Sequence, residues 1–283
     1  MDRTSGEGTF GSRAHLGRAR WFGAIGCVAL LGLAGCDEPK AESVSKASEA
    51  KPAEVPAVPA AAKAPEPEPA PKAKAPKKTL ADCAAGTKVS LDNAEFEGAV
   101  RVKAQKPDGD LTTADLKKLR SLNLSRVPLS ELDVCLFRHM TELRELFIGP
   151  GDIDDLSSIA TSTKLEALGV SGNPVADLSP LAKMTKMDRL DLAHTKVSDL
   201  SVVAGMKLMT ELNVDDTLVA DLTPLKELLQ LERLSVKKTK VADVSMLSEH
   251  KKLKVVYVGE SPLADESSKT AVLSKNGAKI IDD

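Results

Sequence analysis

A unit of 22 residues repeats through the second half of the chain. Five consecutive units cover residues 143–164, 165–186, 187–208, 209–230 and 231–252. An earlier unit, residues 119–142, is two residues longer, and a further unit begins at Leu253. A fixed period of this length is typical of solenoids, in which each unit packs only against its neighbours. We therefore expect one elongated stack over residues 119–266.

Apolar residues recur at fixed places in the unit and indicate which side chains point inward. The fourth and sixth places alternate with polar ones, as in a short strand with one buried face. The fourth place holds Leu122, Leu146, Leu168, Leu190, Leu212, Leu234 and Val256, and the sixth holds Leu124, Ile148, Val170, Leu192, Val214, Val236 and Val258. The eleventh, fourteenth and seventeenth places supply an opposite wall. One unit cannot bury this set alone, so neighbours must share a core.

The unit beginning at Leu165 carries the pattern LxxLxVxxNxVxDLxxL, and its neighbours renew it. The matching residues are Leu165, Leu168, Val170, Asn173, Val175, Asp177, Leu178 and Leu181. Here the chain resembles leucine-rich-repeat proteins, in particular their internalin-like subclass. The resemblance spans about residues 92–283 and implies an α/β fold: a right-handed solenoid with a concave parallel sheet, convex 3-10 turns and capping helices. It also implies that a partner binds the concave face.

Two polar rows accompany the apolar ones. Asn173, Thr195, Thr217, Thr239 and Ser261 follow the strands, where a hydroxyl or amide can satisfy backbone groups at the bend. Asp155, Asp177, Asp199, Asp221, Asp243 and Asp265 stand before the convex turns. They indicate caps. A calcium site is the alternative, but this row contributes one Asp per unit and no DxDxDG loop occurs. We predict no metal and no cofactor.

Capping segments are expected at both ends of the stack, residues 80–118 and 267–283. At the first, Asp92 or Asn93 can begin a helix whose apolar stripe is Phe96, Ala99, Val100 and Val102, and Thr112 with Asp115 has capping-box spacing. At the second, a short helix is expected to end at Asn276 and Gly277, before a final strand over residues 279–281.

The first 35 residues read as a signal peptide. Arginines precede the apolar run WFGAIGCVALLGLAG, which is short for a bilayer span but typical of a secretory apolar region. Leu33, Ala34, Gly35 and Cys36 then resemble the lipobox of bacterial lipoproteins. The resemblance implies lipidation of Cys36 and a membrane anchor. The alternative, a buried helix, would show polar positions at a 3.6-residue period, and the run shows none.

The composition of residues 36–79 predicts a disordered, extended Pro/Ala-rich tether. They hold nine of the sixteen prolines and consist otherwise mainly of Ala, Lys, Glu and Ser, a composition that cannot form a core. Pro-rich chains extend by about 3.1 Å per residue, so this segment would hold the domain well away from its anchor. With the lipobox, it predicts a bacterial envelope protein that faces the periplasm or the cell surface.

Two cysteines remain after the signal and the acylated Cys36, namely Cys83 and Cys135. Cys135 occupies the inward seventeenth place and is either a small core residue or half of a disulfide. Two thiols are the number that an oxidising compartment can pair, and we predict the disulfide.

Composition narrows the function. A net charge of −2 and 2% aromatic residues argue against nucleic acid as the partner. The motifs HExxH, GxxxxGK[ST], GxSxG and CxxC are absent from the sequence, and we do not expect an enzyme.

We instead predict that an unknown protein binds the concave face. The candidate contact residues are Phe147, Arg189, Asp191, Glu211, Asp215, Arg233, Lys237 and Tyr257. Arg189, Glu211 and Arg233 are expected to form one charged ladder, and Asp215–Lys237 and Asp216–Lys238 two more. Two alternatives stay open: a solvated, self-neutralised face, and a structural lipoprotein that binds glycan or another cell-wall polymer.

Overall fold

The structure, a computed structural model, describes Cys83, residues 86–89, Leu91, residues 93–264 and residues 267–282. Its strands are β1 (Ser121–Leu124), β2 (Glu145–Ile148), β3 (Ala167–Gly169), β4 (Arg189–Asp191), β5 (Glu211–Asn213), β6 (Arg233–Ser235), β7 (Val255–Tyr257) and β8 (Lys279–Ile281). Its helices are α1 (Ala94–Ala104), α2 (Thr113–Lys117), α3 (Val134–Phe137) and α4 (Ser267–Lys275). All eight strands form one sheet in sequence order.

Every pair of neighbouring strands is parallel and stacks equivalent places of successive units. The fourth-place residue Leu168, for example, pairs with Leu146 on one side and Leu190 on the other. This register places each inward side chain beside its counterpart in the next unit, and the fourth-place and sixth-place residues are buried. The predicted leucine-rich-repeat solenoid is confirmed.

Short 3-10 turns oppose the sheet and close the core from the convex side. They span Ser157–Ile159, Ser179–Leu181, Ser201–Gly205, Thr223–Leu225 and Ser245–Leu247. In the first unit the two extra residues allow a short α-helix, α3, at the same place. Each turn buries its seventeenth-place residue, such as Leu181 or Leu225, against the strands.

The row after the strands satisfies backbone carbonyl groups, as predicted. The Oγ1 atoms of Thr195 and Thr217 donate to the carbonyl oxygens of Leu192 and Val214 at 2.7 and 2.6 Å. Asn173 does more: its Nδ2 donates to Gly149 O at 2.9 Å, and its Oδ1 accepts from the backbone N–H of Ile153 at 3.1 Å. All are buried, so these bonds replace water that the backbone cannot reach.

The aspartate row caps the convex turns, with one change from the prediction. Asp177 Oδ1 accepts from the backbone N–H of Ser179, the first residue of its 3-10 turn, at 2.8 Å, and the same bond recurs at Asp155, Asp199, Asp221 and Asp243. The residue at the formal N-cap position is the following leucine or valine, which makes no side-chain cap. These bonds hold the pKa of Asp177 below its ordinary value.

The N-terminal cap begins as expected at Asn93, whose Oδ1 accepts from the backbone N–H of Phe96 at 2.9 Å. Helix α1 buries Phe96 and Val100. The predicted inclusion of Val102 in the apolar stripe was wrong, since 74% of its surface is exposed. A full capping box between Thr112 and Asp115 starts α2, as predicted.

The first unit and the N-terminal cap are joined by aromatic and covalent contacts. The rings of Phe96 and Phe137 stack with centroids 6.2 Å apart. Next to them, Cys83 and Cys135 form a disulfide, with their Cα atoms 5.2 Å apart. The disulfide therefore attaches the segment before α1 to helix α3 on the convex side.

At the other end, α4 is followed by Asn276 and by Gly277 at φ 92°, and β8 then completes the sheet. This agrees with the sequence prediction. Both caps, the disulfide and the described core all lie within residues 83–282. A fragment of residues 80–283 thus contains every element that the fold uses, and we expect it to fold on its own.

The predicted signal peptide, the lipidation site Cys36 and the tether of residues 36–79 lie outside the described residues. Among the helices that are described, none has both the length and the apolar character to cross a bilayer.

The disulfide should contribute measurably to stability. Bonding residues 52 apart removes loop-closure entropy from the unfolded chain, which in the chain-entropy model is worth about 4 kcal/mol. Replacing Cys83 and Cys135 by Ser in fragment 80–283 should lower the free energy of unfolding by about 2–4 kcal/mol in urea titrations. A parent fragment with two iodoacetamide-reactive thiols before reduction would contradict the disulfide.

Candidate functional site

The eight predicted contact residues all lie on the concave side of the sheet. Six stand on strands: Phe147 on β2, Arg189 and Asp191 on β4, Glu211 on β5, Arg233 on β6 and Tyr257 on β7. Asp215 and Lys237 stand two residues after the last residues of β5 and β6. All eight are partly exposed. The structure brings some of them into contact and leaves others apart.

Arg189 turns toward the N-terminal half of the face. Its Nη2 lies 3.6 Å from Oε1 of Glu145, two strands away. Between them, in register on β3, stands Ala167, which is only 1% exposed because the arginine passes over its small side chain. Glu145, which the sequence prediction left out of the site, is thus part of it.

Glu211 pairs with Arg233 on the next strand, Oε1 to Nη1 at 3.7 Å. No ion pair joins Arg189 to Glu211 in the part of the chain that the structure describes. The predicted three-residue ladder is therefore wrong in its first half. The long side chain of Arg189 can reach either Glu211 on one side or, past Ala167, Glu145 on the other. The sequence alone does not show which of the two it contacts.

Asp215 is held by hydrogen bonds instead of by the predicted ion pair with Lys237. Its Oδ1 accepts from Ser235 Oγ at 2.6 Å and from the backbone N–H of Lys237 at 2.8 Å. The ammonium group of Lys237 lies over the ring of Tyr257, 5.8 Å from its centroid. Asp215 consequently fixes the backbone after β6, and Lys237 and Tyr257 form the C-terminal part of the face.

Asp191 is a half-buried acidic residue of this face. Burial raises the pKa of its carboxyl group above the ordinary value, and the nearby Asp215 adds to the rise. The backbone N–H of Ala193 donates to Asp191 Oδ1 at 3.1 Å and partly opposes that rise in pKa.

The two aromatic residues do not form one patch. Phe147 and Tyr257 stand five strands apart, about 24 Å at the usual spacing between strands. Between them in the same row come Gly169, Asp191, Asn213 and Ser235. The face is therefore polar in the centre, with an aromatic residue near each end.

A further polar row borders the face where the chain leaves the strands. His194, Asp216, Lys238 and Glu260 all have φ between 51 and 55°, and Gly172 has φ 73°. His194 Nδ1 lies 2.8 Å from Asp216 Oδ2, and Lys238 Nζ lies 3.2 Å from Glu260 Oε1. The predicted Asp216–Lys238 pair was wrong. The sequence gives little sign of this row, because left-handed backbone favours glycine and only Gly172 supplies it.

The described residues contain no group of three or more His, Cys, Asp or Glu side chains that could hold a metal ion. His250 lies in the core, where burial lowers the pKa of its imidazole. Its Nε2 lies 3.1 Å from the carbonyl oxygen of Leu225. His250 therefore serves packing and does not face the concave surface.

No protein-family model matches the chain, and no curated protein matches it. Solved structures do match. Internalin C2 of Listeria monocytogenes is 25% identical, with a TM-score of 0.56 over 61% of this chain and 79% of that one. The internalin inlF of Listeria monocytogenes is 24% identical, with a TM-score of 0.57 over 67% of this chain and 55% of that one. The chain spans about half the length of the inlF structure.

These structures and the repeat geometry make the chain a leucine-rich-repeat protein with an internalin-like solenoid. Solenoids of repeat proteins use their extended concave surfaces for binding. Here, rows of side chains on a stiff parallel sheet provide an extended surface for a partner.

Asp215 should prove structural. Changing Asp215 to Ala removes the acceptor for Ser235 Oγ and the Lys237 N–H, and hydrogen bonds to charged groups contribute about 1.5–3 kcal/mol. We expect a loss of that order in the free energy of unfolding, measured by urea denaturation. The matched control is Glu227→Ala, which removes an exposed carboxylate from ordinary backbone and should change the free energy of unfolding by less than about 0.5 kcal/mol. Equal losses would contradict the assignment.

Proposed function

We propose that this protein is a lipid-anchored protein of a bacterial envelope that binds another protein on the concave face of its repeat domain. The domain class supports protein binding. The lipid anchor and the envelope compartment are supported by the sequence motifs of residues 1–79. The binding site on the concave face is supported by the side chains described above.

The ion pair between Glu211 and Arg233 is the observation that best supports a binding site on the concave face. The two side chains are about a third exposed, and their closest atoms are 3.7 Å apart, beyond hydrogen-bond length. Exposed ion pairs of this kind contribute little to stability, so they can exchange partners at small cost. The Arg189–Glu145 pair has the same character at 3.6 Å. Both arginines therefore retain donors for a carboxylate or carbonyl group of a partner.

Arginine and tyrosine are the residue types that dominate protein interfaces. Arg189, Arg233 and Tyr257 stand on β4, β6 and β7 of one sheet, so their backbones are fixed before binding. Little conformational entropy of the backbone is therefore lost when a partner binds.

The anchor rests on residues 1–79. Basic residues, an apolar run, two small residues and Cys36 follow one another in the order of a lipoprotein signal, and the Pro-rich segment follows directly. Acylation by more than one chain holds a protein firmly at a bilayer without a spanning helix. The tether would present the domain at a distance from the anchor.

A charge exchange tests the concave site. Fragment 80–283 is used as bait against the detergent-solubilised native envelope, beside Glu211→Arg, Arg233→Glu and the double variant. Each single change places like charges together, whereas the double variant restores an ion pair in reversed order. The double variant also places an arginine opposite Arg189, so we expect it to lose up to about 1 kcal/mol of stability. Its capture of the partner should fall at least about tenfold, as for a hot-spot residue.

The control bait carries Lys196→Glu, which reverses a charge away from the concave face and should leave capture unchanged. If the double variant captures the same protein as well as the parent does, the concave site is wrong. Retention of purified, protein-free wall polysaccharide by the parent bait would favour the glycan-binding alternative instead.

Lipidation is tested in the full-length chain. Expressed in a bacterium fed radiolabelled palmitate, the protein should incorporate label, and Cys36→Ala should abolish incorporation because the acceptor thiol is lost. Cys27→Ala is the matched control, since Cys27 lies within the proposed signal and should not affect labelling. Unchanged labelling of the Cys36→Ala protein would contradict the anchor while leaving the concave site untouched.

A further inference from the structure

The turns that lead into β1–β7 form one long edge of the domain. We call it the turn edge and define it as residues 117–120, 141–144, 161–166, 183–188, 205–210, 227–232 and 249–254. Contacts 22 residues apart show that equivalent places stack along it: Lys164 pairs with Glu142, Arg144 with Glu166 and Lys254 with Glu232. The turn edge is therefore a regular row of turns.

Most anions of the turn edge are neutralised, whereas many cations are not. The cations that are exposed and have no ion pair among the described residues are Lys117, Lys118, Arg120, Lys183, Lys186, Lys207, Lys251 and Lys252, of which Lys252 donates to Gln230 Oε1. Glu142, Glu166 and Glu232 are paired, and Asp188 Oδ2 lies 3.9 Å from Arg189 Nε. In the described chain, this leaves Glu227 and Glu249 without a cationic partner, and a net positive edge.

The opposite edge of the sheet has the opposite charge. It carries Glu131, Asp133, Asp152, Asp154, Asp155, Asp177, Asp199, Asp216, Asp221, Asp243 and Glu260, against Arg126, Lys196, Lys238 and Lys240. A protein with a net charge of only −2 is thus strongly polarised across its width. Such a field orients the domain at a charged surface.

Two leucines protrude from the turn edge. Leu208 is 55% exposed and Leu229 is 45% exposed. By the repeat register, Leu229 stands between Lys207 and Lys251, and Leu208 stands beside Lys186. Each leucine is therefore bordered by lysine in the neighbouring units. Exposed apolar side chains interleaved with lysine are typical of surfaces that bind the boundary between lipid headgroups and acyl chains.

We propose that the turn edge binds the surface of an anionic lipid bilayer, with lysines on the headgroups and with Leu208 and Leu229 inserted among them. Lysine attracts anionic lipids at short range, and the contributions of several lysines add. A soluble polyanion or a nucleic acid would use the lysines but gain nothing from protruding leucines. The acidic edge would face away from the membrane.

This inference does not depend on Cys36 or on the concave site, because it concerns a different surface of the domain. Lipid anchoring would raise the local concentration of bilayer surface and strengthen the contact. Loss of the turn edge should leave partner capture intact, and changes on the concave face should leave lipid binding intact.

The experiment uses fragment 80–283 with vesicles of phosphatidylglycerol and phosphatidylcholine, beside vesicles of phosphatidylcholine alone. Cosedimentation should show binding to the anionic vesicles that weakens as salt rises. Lys186→Glu with Lys207→Glu should lower the partition coefficient by at least about tenfold, since two attractive charges become repulsive. The matched control, Lys196→Glu with Lys240→Glu on the acidic edge, should change the partition coefficient less than about twofold.

Leucine insertion has its own readout. The only tryptophan of the chain is Trp21, so fragment 80–283 has none. A tryptophan introduced by Leu208→Trp should shift its emission to the blue on anionic vesicles and be quenched by brominated lipid. The control is Leu218→Trp: Leu218 is 49% exposed but lies after β5, outside the turn edge, and its substitute should show neither effect.

Several outcomes would overturn the proposal. Equal binding to both vesicle types would show that anionic headgroups are not recognised. An equal loss of binding in the Lys186/Lys207 and Lys196/Lys240 variants would show that the turn edge is not the site. Binding of inorganic polyphosphate or short duplex DNA without binding to vesicles would assign the edge to a soluble polyanion. If anionic vesicles neither shift the emission of the Leu208→Trp fragment nor allow brominated lipid to quench it, insertion of Leu208 is excluded.

Discussion

The in-register stacking of equivalent places, 22 residues apart, is the constraint on which the rest of this structure depends. Because Leu168 pairs with Leu146 and Leu190, every other place in those units is also brought beside its equivalents. A side chain therefore has two predictable neighbours, one in each adjacent unit. Core residues become continuous rows, backbone-satisfying hydroxyls become another row, and exposed charges become rows whose composition decides the chemistry of each surface. Binding properties of the domain are consequently properties of rows and not of single loops.

The sequence predicts well those features that are decided within one unit. Inward leucines, the hydroxyl of Thr195 on the carbonyl of Leu192, and the Asp177 cap of its own turn need only local backbone and the period. Prediction fails where the answer depends on what a neighbour leaves free. Arg189 reaches Glu145 because Ala167 between them is small. Asp215 accepts hydrogen bonds from the Ser235 hydroxyl and a backbone N–H instead of pairing with the ammonium group of Lys237.

Backbone conformation sets a second limit on prediction. His194, Asp216, Lys238 and Glu260 share a left-handed conformation that their side chains do not favour, so composition does not reveal their common place. Gly149 is required for a different reason, because a Cβ there would collide with the carbonyl oxygen of Ser125. Its segment, IGPGD, differs from the equivalent segments of the other units, so the repeat pattern does not predict this contact. Both the left-handed row and the close approach of Gly149 to Ser125 become visible only in the stacked structure.

The same row rule separates the surfaces that we assign to different partners. Concave side chains project from the face of the sheet, whereas the turn edge lies beyond the N-terminal ends of its strands, so contact with a flat bilayer through that edge would leave the face accessible. The loosely held Glu211–Arg233 pair would remain in water, and the acidic edge would point outward. A domain that lies on a membrane by one edge and offers its concave face sideways would meet partners that move in or along the same membrane. Association is then a search in two dimensions, which lowers the affinity that a polar face with few aromatic residues has to supply.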